Sequence, residues 1–388
     1  MSEYQYVVFQ AVDGPLNDKQ LEFAQQQSSR AEVSRWSLSV EYHYSSFRGD
    51  VDGLLRQGYD VYLQITNYGS REIKFRFPNG MPFAKCIWSK YVDGDKLKWK
   101  EDAKGRGGIL SLCPFHESDD FEDLQETQTC LDAAIQVRDR LMSGDLRALY
   151  TLWLCAAGDD YNDPKEWIEP NVPHGIAESE AYGGELLSFF GLDPLLLVAA
   201  ASGVAAAPNA ESGKQPVARW VESLDDQLAK ESLCRILIGD TVSEKARLLA
   251  EIRDSQFSVD WPTSDLKRTL DELLQKTEVL RAEEIAKRAR KAQAKAKREA
   301  EKAERDRADR MIEMRKDPDQ WLCEAERLVD AKGTHNYKAA ADILHDLREA
   351  VGGDEGDKIT RRHAAGLAKK HPTLNHLKSA LRKLGLLE

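Results

Sequence analysis

Hydrophobic residues alternate with polar ones along much of the first third of the chain. In RWSLSVEYHY, Trp36, Leu38, Val40, Tyr42 and Tyr44 share one face and Ser37, Ser39, Glu41 and His43 the other, the period of a half-buried strand. YQYVVFQAV at the start reads as a strand broken by DGP, with a helix expected from about Asn17 to Gln27. YDVYLQIT and REIKFRF, joined by Asn67, Tyr68, Gly69 and Ser70, predict a hairpin in which Ile73, Phe75 and Phe77 face a core and Lys74 and Arg76 face away. Two more strands are expected near Lys96–Lys100 and Ile109–Pro114. Residues 1–118 therefore predict an α+β domain built on an antiparallel sheet.

The period lengthens beyond residue 119. Leu146, Leu149, Tyr150, Trp153, Leu154 and Ala157 recur at helical spacing, with Ser143 or Asp145 as N-cap and Gly158 as terminator. Asp193 and Pro194 open an apolar helix over LLLVAAASGVAAA, and PVARWVESL, DDQLAKESLCRILIG and Glu244–Asp254 supply further helices. The thirteen residues of that apolar run are too few to cross about 30 Å of hydrocarbon, so no membrane partner is expected. These patterns predict an all-α region over 119–263.

From 264 to 316 the pattern predicts one long helix. Its apolar stripe, Leu266, Leu270, Leu273, Leu274 and Leu280, stops where RAEEIAKRARKAQAKAKREAEKAERDRADR begins. Those thirty residues contain one large aliphatic side chain, Ile285, which excludes a coiled-coil seam. Alanine and charged residues keep helix propensity high, and Glu283 with Lys287, Glu284 with Arg288 and Glu301 with Arg305 stand at i, i+4. Seven acids among the thirty argue against a basic DNA-reading region, and a solvated semi-rigid spacer from about residue 281 is expected.

Asp317 and Pro318 end that helix and start the last segment, 317–388. One apolar face runs through Trp321, Leu322, Ala325, Leu328 and Val329, and another through Tyr337, Ala340, Ala341, Leu344 and Leu347. A third, Leu374, Leu377, Leu381 and Leu384, follows a GGDEGD loop. Short paired helices of this kind resemble a single tetratricopeptide-like repeat unit, a class of surface that binds peptides or proteins.

Charge sharpens the picture. The 388-residue chain has a formal net charge of −11, yet Arg281–Arg310 holds twelve Lys/Arg against seven Asp/Glu, and Lys358–Leu387 holds eight Lys/Arg and no acid. An acidic body thus bears a basic C-terminal third. Arg361, Arg362, Lys369, Lys370, Lys378, Arg382 and Lys383, beside His363, His371 and His376, are the candidate contacts to an acidic partner or to phosphates. Six scattered cysteines without a CxxC pair read as reduced thiols, and Cys113 with His116 is half of a zinc site without its second half. Asp50 and Asp52 imitate part of a calcium loop without its closing Glu. KGRGG at 104–108 lies between strands, where a hairpin loop is expected rather than a phosphate cradle. Phosphate-loop, dinucleotide, GxSxG and HExxH motifs are missing. No cofactor or metal is expected, and a start of MSEYQYVVFQ, without a basic n-region and apolar h-region, reads as cytoplasmic.

YQYVVFQAVDGPL, YDVYLQITNYGSR, VRDRLMSGDLRALYTLWL, GLDPLLLVAAASG, the charged helix and NYKAAADILHDLREA…HPTLNHLKSALRKLGL together resemble a family of uncharacterised bacterial proteins over nearly the whole chain. The last block is also similar to helices appended to bacterial SWIM zinc-finger proteins, but the C-x-C and C-x-H zinc ligands are missing, so no metal or DNA-binding role carries over. What emerges is a non-catalytic adaptor that presents a C-terminal docking module to a protein partner. A nucleic-acid-associated protein that uses the basic tail is the alternative, and an enzyme whose site assembles only on folding stays open.

Overall fold

A computed structural model of the chain describes residues 4–92, 94–116, 124–207, 214–239, 241–255 and 261–388. Two compact units divide it, Met1–Glu283 and Glu284–Glu388.

The first unit is built on a seven-stranded sheet: β1 (Tyr4–Gln10), β2 (Glu32–Val33), β3 (Ser37–His43), β4 (Val61–Thr66), β5 (Arg71–Phe77), β6 (Leu97–Glu101) and β7 (Gly108–Leu112). Their order is β2-β3-β1-β4-β5-β7-β6, and every neighbouring pair is antiparallel. The register follows from the alternation: Val7 faces Val40 and Phe9 faces Leu38, which places all four on one side. Helices α1 (Asp18–Gln27) and α2 (Val51–Gln57) cover that side with Leu16, Ala24, Leu54 and Leu55. Asn17 starts α1 through a reciprocal cap, its side chain accepting from the Gln20 main-chain amide at 3.0 Å while the Gln20 side chain accepts from the Asn17 main-chain amide at 2.8 Å. In the hairpin, Ile73, Phe75 and Phe77 are fully buried on the opposite side. Lys74 and Arg76 take the other face, where they are largely covered, and pair with Asp52 of α2 at 3.3 Å and with Asp102 at 2.6 Å. Trp36 and Tyr44, expected on the buried face of β3, lie just outside the strand and are exposed, because the sheet edge offers nothing to cover them.

A short helix, α3 (Lys85–Trp88), precedes the last two strands, and α4 (Leu124–Met142) and α5 (Leu146–Ala157) follow them. All twelve residues of α5 are buried, and Asp145, rather than Ser143, caps it by accepting from the Arg147 amide. Then come β8 (Val172–Pro173), α6 (Glu180–Phe189), α7 (Leu195–Ala200), α8 (Lys214–Glu222), α9 (Asp226–Leu237), α10 (Thr241–Asp254) and β9 (Thr263–Ser264), which pairs with β8. The apolar run opened by Asp193 stays helical only to Ala200, where a turn intervenes. Val8, Leu63, Phe75 and Leu110 of the sheet belong to the same hydrophobic cluster as Leu141, Leu149, Leu187 and Leu197 of the helices. The boundary read at 118/119 therefore marks a change of secondary structure within one core.

Arg138 of α4 lies in that core with its side chain fully buried. Its guanidinium reaches both carboxylate oxygens of Asp13, at 2.9 and 2.6 Å, and Asp60 at 2.9 Å, and it donates to the Arg76 carbonyl at 3.1 Å. Asp60 in turn accepts from the Val12 and Asp13 amides at 2.7 and 2.9 Å. One buried cation thus ties α4 to the end of β1 and the start of β4.

Helix α11 (Leu270–Lys316) runs for 47 residues without interruption. Leu270 and Leu273 join the first core, while Leu266 lies in the coil before the helix. Side chains from Ile285 to Arg310 are exposed without exception. Of the three ion pairs expected along it, Glu284 with Arg288 forms; Glu301 pairs with Lys297 at 3.9 Å instead of Arg305, and Lys295 with Glu299, also at 3.9 Å, is an additional pair. Long, solvated side chains hold such pairings weakly, so their partners are interchangeable.

Candidate docking surface of the C-terminal helices

The second unit closes on α12 (Pro318–Asp330), α13 (Thr334–Val351), α14 (Gly353–Lys370) and α15 (Asn375–Lys383). Asp317 caps α12 by accepting from the Gln320 amide at 3.2 Å, and Pro318 occupies its first turn, where a missing N–H costs nothing. Helix α13 supplies the centre: Tyr337, Ala340, Ala341, Ile343, Leu344 and Leu347 are buried on it. Met314, from the last turn of α11, is fully buried in the same cluster, so this core begins before residue 317.

GGDEGD, read from the sequence as a loop, is instead the first turn and a half of α14, with only Gly352 left outside as the link. Glycine weakens a helix in isolation, but tertiary packing overrides that preference here. A Cβ on Gly356 would stand 2.7 Å from the Arg348 carbonyl, so the missing side chain is what lets α14 close on α13. Thr360, Ala364 and Leu367 continue that contact face. Helix α15 ends in a left-handed glycine, Gly385, with the Leu386 amide turned back to the Leu381 carbonyl at 3.0 Å.

The seven basic candidates do not form one patch of free charge. Arg361 pairs with Asp357 at 3.1 Å and Lys370 with Asp330 at 3.5 Å. Lys378 donates to the Pro372 carbonyl at 2.7 Å, and Arg382 to the main-chain oxygen of Glu388 at 2.9 Å. Arg362, Lys369 and Lys383 are exposed and take part in no ion pair among the described residues. His363 and His371 are half-buried against α12, 3.7 Å from Glu326 and 3.3 Å from Asp330.

What the fold does bring together is a groove of about 280 Å³ between α13 and α15. Ala341, Ala380 and Leu384 form its apolar base, while Lys338, Lys383 and His376 stand around it with one acid, Asp342. An apolar base with convergent charged groups is the usual make-up of a recognition site. Lys338 and Asp342 escaped the sequence reading, which had named His376 and Lys383, because α13 and α15 are about forty residues apart along the chain. A signal was present: Lys338 lies one turn before Asp342 on the polar flank of the Ala341 stripe.

The other residues that the sequence offered as half-sites are committed to structure. Burial pushes the Cys113 thiol up, the opposite of an activated nucleophile. His116 reaches Asp160 at 3.3 Å, and its ring fills the space a side chain on Gly191 would need. Asp50 caps α2, and Asp52 pairs with Lys74 and Lys100. Among the described residues, no three His, Cys, Asp or Glu side chains converge as a metal site, and no helix is long and apolar enough to cross a membrane. Compared with known proteins, the chain matches no family model, no curated protein and no solved structure.

Proposed function

We propose that the chain is a cytoplasmic, non-catalytic adaptor whose C-terminal helices dock a segment of a partner protein in the groove between α13 and α15. The observation that carries this reading is the groove itself: an apolar base between two helices of a separately packed core, with Lys338, Lys383 and His376 around it. Three groups that are or can become cationic, against one carboxylate, favour a segment that combines acidic and small apolar residues. The exposed shaft of α11 supports the adaptor reading further, since it spends 26 residues on a helix that buries nothing.

Affinity capture from cells with three forms of the chain tests this: full length, ending at Arg310, and full length with Lys338→Glu and Lys383→Glu. A common set of partners retained by the first form and lost from the other two is expected. Identical sets from all three would sink the reading.

A further inference from the structure

Acids and bases along α11 are mixed in sequence but separated in space. At 3.6 residues per turn, Lys287, Lys291, Lys295, Arg298, Lys302 and Arg305 fall within about 80° of one another around the helix. They form a stripe about 27 Å long at 1.5 Å per residue, with no carboxylate inside it. Glu284 and Asp309 bound it at the two ends, and the acids between them lie beyond its edges, Asp306, Glu299 and Glu301 by about 20–40° and Glu304 by about 100°. Every member of the stripe is exposed. Among the described residues, Lys295 is the one member in an ion pair, with Glu299 at 3.9 Å and the two side chains 79% and 69% exposed.

The make-up of this surface selects its ligand. Protein interfaces concentrate aromatic and apolar side chains at their centres and are depleted in lysine there. Around the stripe only alanine is available, since Ile285 and Ile312 lie outside it. A membrane-surface helix likewise needs an apolar face to bury, and this helix has none. A ligand held here is recognised through repeated negative charge alone, which is what a phosphate backbone presents. Gln293, the one amide side chain between Lys287 and Arg305, lies on the far side of the helix, so no Asn or Gln accompanies the cations to read bases.

We infer that this stripe of α11 binds the sugar-phosphate backbone of nucleic acid without regard to base sequence. The groove between α13 and α15 plays no part in this second activity. It also differs from the basic-tail alternative: the contacts lie on α11, where five of the six cations are in no ion pair among the described residues, rather than on α14 and α15, where most are already engaged.

Two matched variants of the full chain test it. Lys291→Glu with Arg298→Glu reverses two charges on the stripe, and Arg290→Glu with Lys297→Glu reverses two charges more than 90° away from its centre, for the same change in net charge. Fluorescence anisotropy would follow a labelled DNA duplex of about 20 base pairs, the matching RNA duplex and one single strand between 50 and 200 mM salt. With four to six phosphates neutralised, wild type should lose affinity with a log–log slope of about −4 to −5 on duplex DNA, shallower on the single strand. The stripe variant should bind at least tenfold more weakly, with the slope reduced by about 2, and the off-stripe variant within about threefold of wild type. Equal losses from both variants, salt-independent binding by wild type, or stronger binding to phosphatidylserine vesicles than to any nucleic acid at equal phosphate concentration would each overturn the inference.

Discussion

Replacing Arg138 with methionine strands two carboxylates, Asp13 and Asp60, where water has little access. Breaking a buried ion pair on one side costs about 3–5 kcal/mol, because the remaining charge keeps its desolvation penalty and loses its compensation. Burial already pushes the Asp60 carboxyl above its ordinary range, and Arg138 is the main influence pulling it back. Without that cation the folded state holds a proton more tightly than the unfolded chain does. Stability of Arg138→Met should therefore rise as pH falls toward the ordinary aspartate value of 3.8 and drop as pH rises through the elevated folded value. Urea melts at pH 7.5 and pH 5 would show it; a deficit that grows on acidification refutes the assignment. This network was not legible in the sequence. A lone arginine between helical apolar residues reads as solvent-facing, and its partners lie 125 and 78 positions away.

Elements with a clear period were the legible ones. The β4–β5 hairpin, the capped start of α1 and the core helix α5 all follow from residues adjacent in sequence, so local pattern and final packing agree. Helix α14 was not, since three glycines, Gly353, Gly356 and Gly366, dilute its pattern and only contact with α13 shows what Gly356 is for. Gly356→Ala is a discriminating test at this scale. In an isolated helix the change should stabilise by about 1 kcal/mol, whereas here the added carbon meets backbone and should destabilise. Hydrogen exchange should accelerate in α13 and α14 and stay unchanged in β1–β7. Slower exchange in α14 would mean that the close approach does not constrain it.

On the scale of the whole molecule, two compact units whose hydrophobic clusters share no residues imply two cooperative transitions. Leu344, fully buried on α13, offers a handle: truncation to alanine should cost the second unit about 2–5 kcal/mol. Calorimetry of Leu344→Ala should show one transition moving down and the other holding its position. A single transition that shifts as a whole would mean that the exposed length of α11 couples the two cores. The groove and the charged stripe were only half legible at this scale. The cations of both were visible in the sequence, but which of them stand free is decided by carboxylates and carbonyls that folding brings alongside.

The order of strands in the sheet carries one more consequence. Its two rims are β2, with two residues of ladder, and β6, where Lys98, Lys100 and Glu101 are exposed. A rim this short, or this charged, is a poor template for a foreign strand. Intermolecular β-stacking, the common route by which antiparallel sheets become fibrils, is disfavoured at the charged β6 rim, and on the other side β2 shields only the Leu38–Ser39 part of β3.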